Sequence, residues 1–190
     1  VYAFVKNNGG KVAVYKENLY KPMPGYRFIA SNTDRSRYYV GELNGRSSKQ
    51  AYMDALHISE SNIINQTFHN PLGKMNGQDI CIISLKEVSG NGLCCYRQVN
   101  DSDVLVLLEE QDYNEILDET LQRIRRDFNH ISGVFSINCV FRYLLFSQEH
   151  HMEDYLKTMS TLGDHAGLIG FGEHYNQQFV NQTMTCVVFE

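Results

Sequence analysis

The chain has 190 residues, 43% of them hydrophobic, which suits one large domain, or one domain with part of another, around a substantial core. Its net charge of -5 and pI near 5.8 leave no basic surface for a phosphate backbone, because Lys and Arg are scattered apart from Arg123, Arg125 and Arg126, so nucleic acid is excluded as a partner. No apolar run approaches the roughly 20 residues a membrane helix needs and no secretory leader precedes Val1, so a soluble globular protein without membrane insertion is expected.

Residues 1–5 read as a strand joined by the turn Asn7, Asn8, Gly9 and Gly10 to a second strand over 11–15. From Ser47 the pattern becomes helical: Ser47 and Gln50 have capping-box spacing, and Ala51, Met53, Ala55 and Leu56 supply helix formers and apolar contact. A short second helix is predicted through Ile63, Ile64 and Phe68, ended by Pro71.

Three strand-like runs follow, at 79–85, 92–99 and 103–108, and the turn residues between them predict a β-meander. The clearest helix lies at 112–129, where Asp112 and Glu115 form a capping box and Tyr113, Ile116, Leu117, Leu121, Ile124 and Phe128 recur every three or four positions. Residues 133–139 form a short buried strand, and 147–162 an amphipathic helix through Met152, Tyr155, Leu156 and Met159. Two strands close the chain. The mixed order of elements predicts an α+β fold, a largely antiparallel β-sheet or sheets layered with α-helices.

Five cysteines, Cys81, Cys94, Cys95, Cys139 and Cys186, make an odd count, and four lie in strand-like apolar runs, so free thiols in a reducing cytoplasm are expected. Adjacent Cys94 and Cys95 on a strand face opposite ways and cannot jointly clamp zinc. The glycosylation-type triplets at 65–67 and 181–183 matter only in secreted chains. Gly167, Gly170 and Gly172 have the wrong spacing for a dinucleotide fingerprint, and no other cofactor motif is present. His150 and His151 diverge by about 100° on a helix and fit a solvated helix start better than a metal site.

The polar residues that end the late apolar runs carry the chemistry. Arg142 follows Cys139 by three positions, which puts thiol and guanidinium on one face if a helical turn starts there. Arg142 then reads either as a salt-bridging residue, with Glu173 as the partner, or as a clamp for a ligand carboxylate. Cys139 reads as an apolar filler or a nucleophile; His150, His151, His165 and His174 are available as bases, but none sits in a recognised motif. Gly172 permits close backbone approach and Glu173 offers a carboxylate to a ligand ammonium. Asn181 and Thr183 suit either turn stabilisation or ligand contact.

Taken together, Cys139 and Arg142 in a Cys-x-x-Arg turn, a strand ending in Gly172 and Glu173, and a last strand opening with Asn181 and Thr183 resemble the C-terminal domain of the FIST family, named for F-box and intracellular signal transduction proteins. The resemblance implies the close of the family's N-terminal domain over 1–45 and a FIST C-terminal domain over 46–190. It implies a glycine where this chain has Ser102. It further implies a cytoplasmic, non-enzymatic sensory domain that binds a small ligand such as an amino acid through Cys139, Arg142, Gly172, Glu173, Asn181 and Thr183, without a metal or cofactor, and that works with a signalling output domain or partner protein. Two other readings stand beside it: a protein-interaction scaffold of an F-box-type or signalling protein, and an enzyme that depends on Cys139.

Overall fold

In the computed structural model of the chain, which describes residues 4–77 and 79–190, the strand expected at 11–15 forms as β1 (Val12–Asn18). The hairpin expected before it does not: residues 4–11 are not in a strand, and residues 1–3 lie outside those described. Asn7, Asn8, Gly9 and Gly10 have poor strand propensity, and β1 finds its partner at the other end of the chain. The chain divides into two compact units, one formed by residues up to Leu19 with Asp112–Glu190, the other by Tyr20–Gln111.

The continuous unit contains β2 (Tyr20–Asp34), β3 (Tyr39–Leu43), β4 (Arg46–Ser47), α1 (Ser48–Leu56), α2 (Ile63–Gln66), β5 (Leu72–Asn76), β6 (Asp79–Ile83), β7 (Leu85–Ser89), β8 (Gly92–Cys95) and β9 (Val104–Glu110). Its sheet runs β6-β5-β9-β2-β3-β8-β7, with β4 paired to β3 and every neighbouring pair antiparallel. This corrects the meander. The run at 79–85 breaks at buried Ser84 into β6 and β7, which lie at opposite ends of the sheet, and β9 enters between β5 and β2. The cause is local: the chain turns at Gly77, with φ +64°, so β6 folds back on β5. The Ser47 hydroxyl caps α1 by accepting from the Gln50 N–H at 3.2 Å, while the Gln50 side chain bonds Asp54 instead of closing the box. Phe28, Leu43, Tyr52, Ile63, Leu93 and Leu107 lie in the core of this unit.

The discontinuous unit adds α3 (Tyr113–Asp127), β10 (Gly133–Cys139), α4 (Val140–Gln148), α5 (Met152–Met159), β11 (Asp164–Gly170), β12 (Glu173–Tyr175), β13 (Gln178–Val180) and β14 (Thr183–Phe189). The Asp112 carboxylate accepts from the Asn114 and Glu115 N–H groups at 2.9 and 3.0 Å, and α3 then buries Leu117, Leu121 and Ile124. Its sheet runs β1-β14-β10-β11, antiparallel except for β10 beside β11. Parallel neighbours need a crossover, and α4 and α5 supply it. Of the helix expected over 147–162, Met152–Met159 forms as α5, while Ser147 and Gln148 end the separate helix α4; His150, whose φ of +56° no helix interior accepts, lies between them. The observed class is the α+β fold that the sequence predicts.

Ser102 occupies the position where the resemblance implies glycine, and its φ is +68°. Its N–H donates to the Ala30 carbonyl at 2.8 Å, which holds the turn in this left-handed conformation. Ser102→Gly is expected to raise stability by about 1 kcal/mol, seen as a higher urea midpoint at unchanged m-value.

Candidate functional site

Alternation along β10 gives the strand two differently equipped faces: Ser136 and Asn138 point one way, Ile137 and Cys139 the other. On the first face the Asn138 amide donates to the Tyr155 hydroxyl at 2.9 Å, and that hydroxyl donates to Ser136 Oγ at 3.4 Å. Ser136 Oγ lies 2.9 Å from His165 Nε2. Burial lowers the pKa of His165, which favours the neutral ring, one nitrogen a donor and the other an acceptor. Burial raises the Tyr155 pKa, which keeps that hydroxyl a donor.

Beside this chain of hydrogen bonds lies a buried ion pair. Arg142, in the first turn of α4, donates through Nη2 to Glu17 Oε1, with the two residues 1% and 2% exposed. The guanidinium stacks over Phe146 at 4.5 Å and Tyr155 at 5.4 Å. The sequence paired Arg142 with Glu173; the structure pairs it with Glu17. Glu17 is in phase with inward-facing Tyr15 on β1, so strand alternation turns its carboxylate into the unit. Among the described residues, Arg142 Nε and Nη1, Glu17 Oε2 and Asn138 Oδ1 have no hydrogen-bond partner.

The other face gathers the remaining sequence-chosen residues around Glu173. Its Oε2 accepts from Thr183 Oγ1 at 3.1 Å, and the Cys139 thiol and the Gly172 N–H also bond the carboxylate. Burial nonetheless pushes the Glu173 pKa up to about 7, against the opposing pull of these groups and of the Arg142 charge. Oε1 has no partner among the described residues. Gly172 is required twice over: its φ is +120°, and a Cβ there would sit 2.6 Å from the Phe179 ring and 3.3 Å from Asn181 Oδ1. Asn181 and Thr183 are buried at 7% and 3% exposure.

Cys139 is the N-cap residue of α4 and is 2% exposed. Burial and the neighbouring Glu173 raise its pKa, although the N–H groups of Gln182, Phe141 and Arg142 pull the other way. A protonated, enclosed thiol is a poor nucleophile. His150 is exposed as expected, but His151 is half-buried with its ring edge-on to Phe146 at 4.8 Å, so only one of the pair sits in solvent.

The sequence therefore locates both ends of this arrangement and misses its middle. Glu17, Ser136, Asn138 and Tyr155 were not selected. Period-2 phase with Tyr15 and Val134 was the available signal for the first three: polar residues in step with buried ones are themselves inward.

A family model described as the FIST C domain matches residues 49–176, about two thirds of the chain. The chain belongs to the FIST C domain family. The matched span of the FIST C domain includes Cys139, Arg142, Gly172 and Glu173; Glu17, Asn181 and Thr183 lie outside it. Membership places the chain among sensory domains of signal transduction. No match was found to a curated protein or to a solved structure. Among the described residues of this FIST C domain chain, no helix is long and apolar enough to cross a membrane.

Two stability measurements test this geometry. Arg142→Leu alone leaves the Glu17 carboxylate buried and unpaired and is expected to cost about 3–5 kcal/mol, whereas Arg142→Leu combined with Glu17→Leu recovers most of the loss in denaturant titrations. Glu173 binds a proton in the folded state between its ordinary pKa of 4.5 and about 7, so stability falls as pH rises through that window. Glu173→Gln is expected to flatten this fall, which melts at pH 5, 6, 7 and 8 would record.

Proposed function

We propose that the chain is a non-catalytic sensory domain that binds a small metabolite, with an amino acid as the first candidate, and passes its occupancy to a signalling output domain or partner protein. The observation that carries this reading is buried ionisable side chains of both signs with hydrogen-bonding atoms left over: Arg142 Nε and Nη1 with Glu17 Oε2 on one side of β10, and Glu173 Oε1 on the other. Buried polar groups are nearly always satisfied, so such a group of leftovers calls for an occupant. An amino acid brings a carboxylate for the guanidinium and an ammonium for a carboxylate. Membership of the FIST C domain family supports the sensory role. A cytoplasmic setting goes with it, since all five cysteines are free thiols.

A second reading, a protein-interaction scaffold of the F-box or signalling type, is favoured by β11, an edge strand on which Leu168 and Ile169 are 49% and 46% exposed, followed by Phe171 at 92%. A Cys139-dependent enzyme has less support, because the thiol is buried and held protonated.

Thermal-shift measurements against the amino acids and small dicarboxylates test the sensory reading. A ligand at about 100 times its Kd adds roughly 2.7 kcal/mol, a rise of about 5–10 °C for a chain of this size. The shift is expected for one compound class and is expected to vanish in Arg142→Lys and Glu173→Gln, each checked for folding by circular dichroism. A flat profile across the whole panel would sink the amino-acid proposal.

A further inference from the structure

A cavity of about 250 Å3 lies between β10, β11 and the helices of the crossover, lined by Ser136, Asn138, Tyr155, His165, Leu156 and Leu168 among others. It is separate from the Glu173 cluster, which lies on the other face of β10, and none of the residues that line it carries a fixed charge. Its polar wall is a hydrogen-bonded chain. Asn138 donates to Tyr155, Tyr155 donates to Ser136, and Ser136 Oγ lies 2.9 Å from His165 Nε2.

One acceptor in the wall is left over. Asn138 is 7% exposed, lines the cavity and has no partner for Oδ1. A buried amide oxygen without a partner is costly, and the empty space beside it is where a donor would come from. The apolar part of the lining is half open at its rim: Leu156 and Ile169, the latter beside Asn138 in register, are exposed at 47% and 46%.

From this we infer that the cavity is a binding site for a small uncharged molecule that presents one N–H or O–H donor to Asn138 Oδ1 and lays a short branched aliphatic body against Leu156 and Ile169. A carboxylate is disfavoured here, because it brings no donor and the wall offers no cation to neutralise it. The volume is below that of sites for drug-sized ligands, which start at about 300 Å3, and suits a molecule with fewer than about ten heavy atoms. The inference goes beyond the sensory reading, since it concerns another face of β10 and another ligand class.

Isovaleramide and isovalerate make a matched pair of probes, with the same branched body and, respectively, an amide donor or a carboxylate in its place. In 1H–15N spectra of the full chain, isovaleramide is expected to shift the amides of residues 134–139 and 164–169 and the Asn138 side-chain NH2 saturably, in the millimolar range. Isovalerate is expected to leave them unmoved at the same concentrations. Asn138→Leu, which removes the acceptor at constant volume, is expected to weaken isovaleramide at least tenfold. Leu156→Trp, a change at a half-exposed position, fills the cavity without touching Asn138 and is expected to do the same, so a folding failure of the first variant does not shelter the idea. No saturable shift with isovaleramide, equal binding of isovalerate, or full affinity in the folded Leu156→Trp variant each overturns it.

Discussion

The Glu17–Arg142 pair is the constraint on which the discontinuous unit turns. Taking two opposite charges out of water is expensive unless each fully compensates the other, so the strand that carries Glu17 and the helix turn that carries Arg142 are held in one relation. That relation fixes more than two residues. Glu17 can face inward only if β1 keeps its register beside β14, where Tyr15 lies opposite Cys186. Arg142 can reach it only if α4 starts directly at the end of β10, and the guanidinium then serves as a plate for Phe146 and Tyr155.

The same pair explains how two carboxylates coexist near one arginine. Glu17 takes the guanidinium, and its negative charge offsets the positive one. Glu173, on the other face of β10, receives only part of that field, and burial outweighs it, which raises its pKa to about 7. Cys139 and Thr183 bond this carboxylate and contribute no charge. The two faces of one strand thus differ in kind: one carries a chain of neutral hydrogen bonds beside a buried ion pair, the other a carboxyl whose pKa burial raises.

Local signals in the sequence were read well because they are local. Ser47 and Asp112 cap the helices they were expected to cap, and residues 133–139 form the strand their apolar run describes. Partner choice was illegible. The strand at 12–18 pairs with one some 170 residues away, and nothing in the glycine-rich turn before it announces this. The run at 79–85 has continuous strand propensity, yet the turn at Gly77 gives its first part β5 as a partner and the chain breaks at buried Ser84 before β7. In the site, residues at strand ends stood out because polar groups there interrupt apolar runs. Asn138 and Ser136 did not, because inside a strand a polar residue looks like the solvent side of an alternation. Only Val134, in phase with them and buried, says which side is inward.

The discontinuity of the unit that holds these residues bears on how the chain is made. β1 is synthesised well before its partner β14, so this pairing waits while everything between is translated. The continuous unit has no such delay: Tyr20 pairs with Glu110, and all its strands exist once that residue clears the ribosome. Closing a loop this long is a late event whose entropic cost is met only by the completed sheet. Until then Glu17 and Arg142 are ordinary hydrated side chains. The polar centre of this unit is complete only once β1 and β14 have paired.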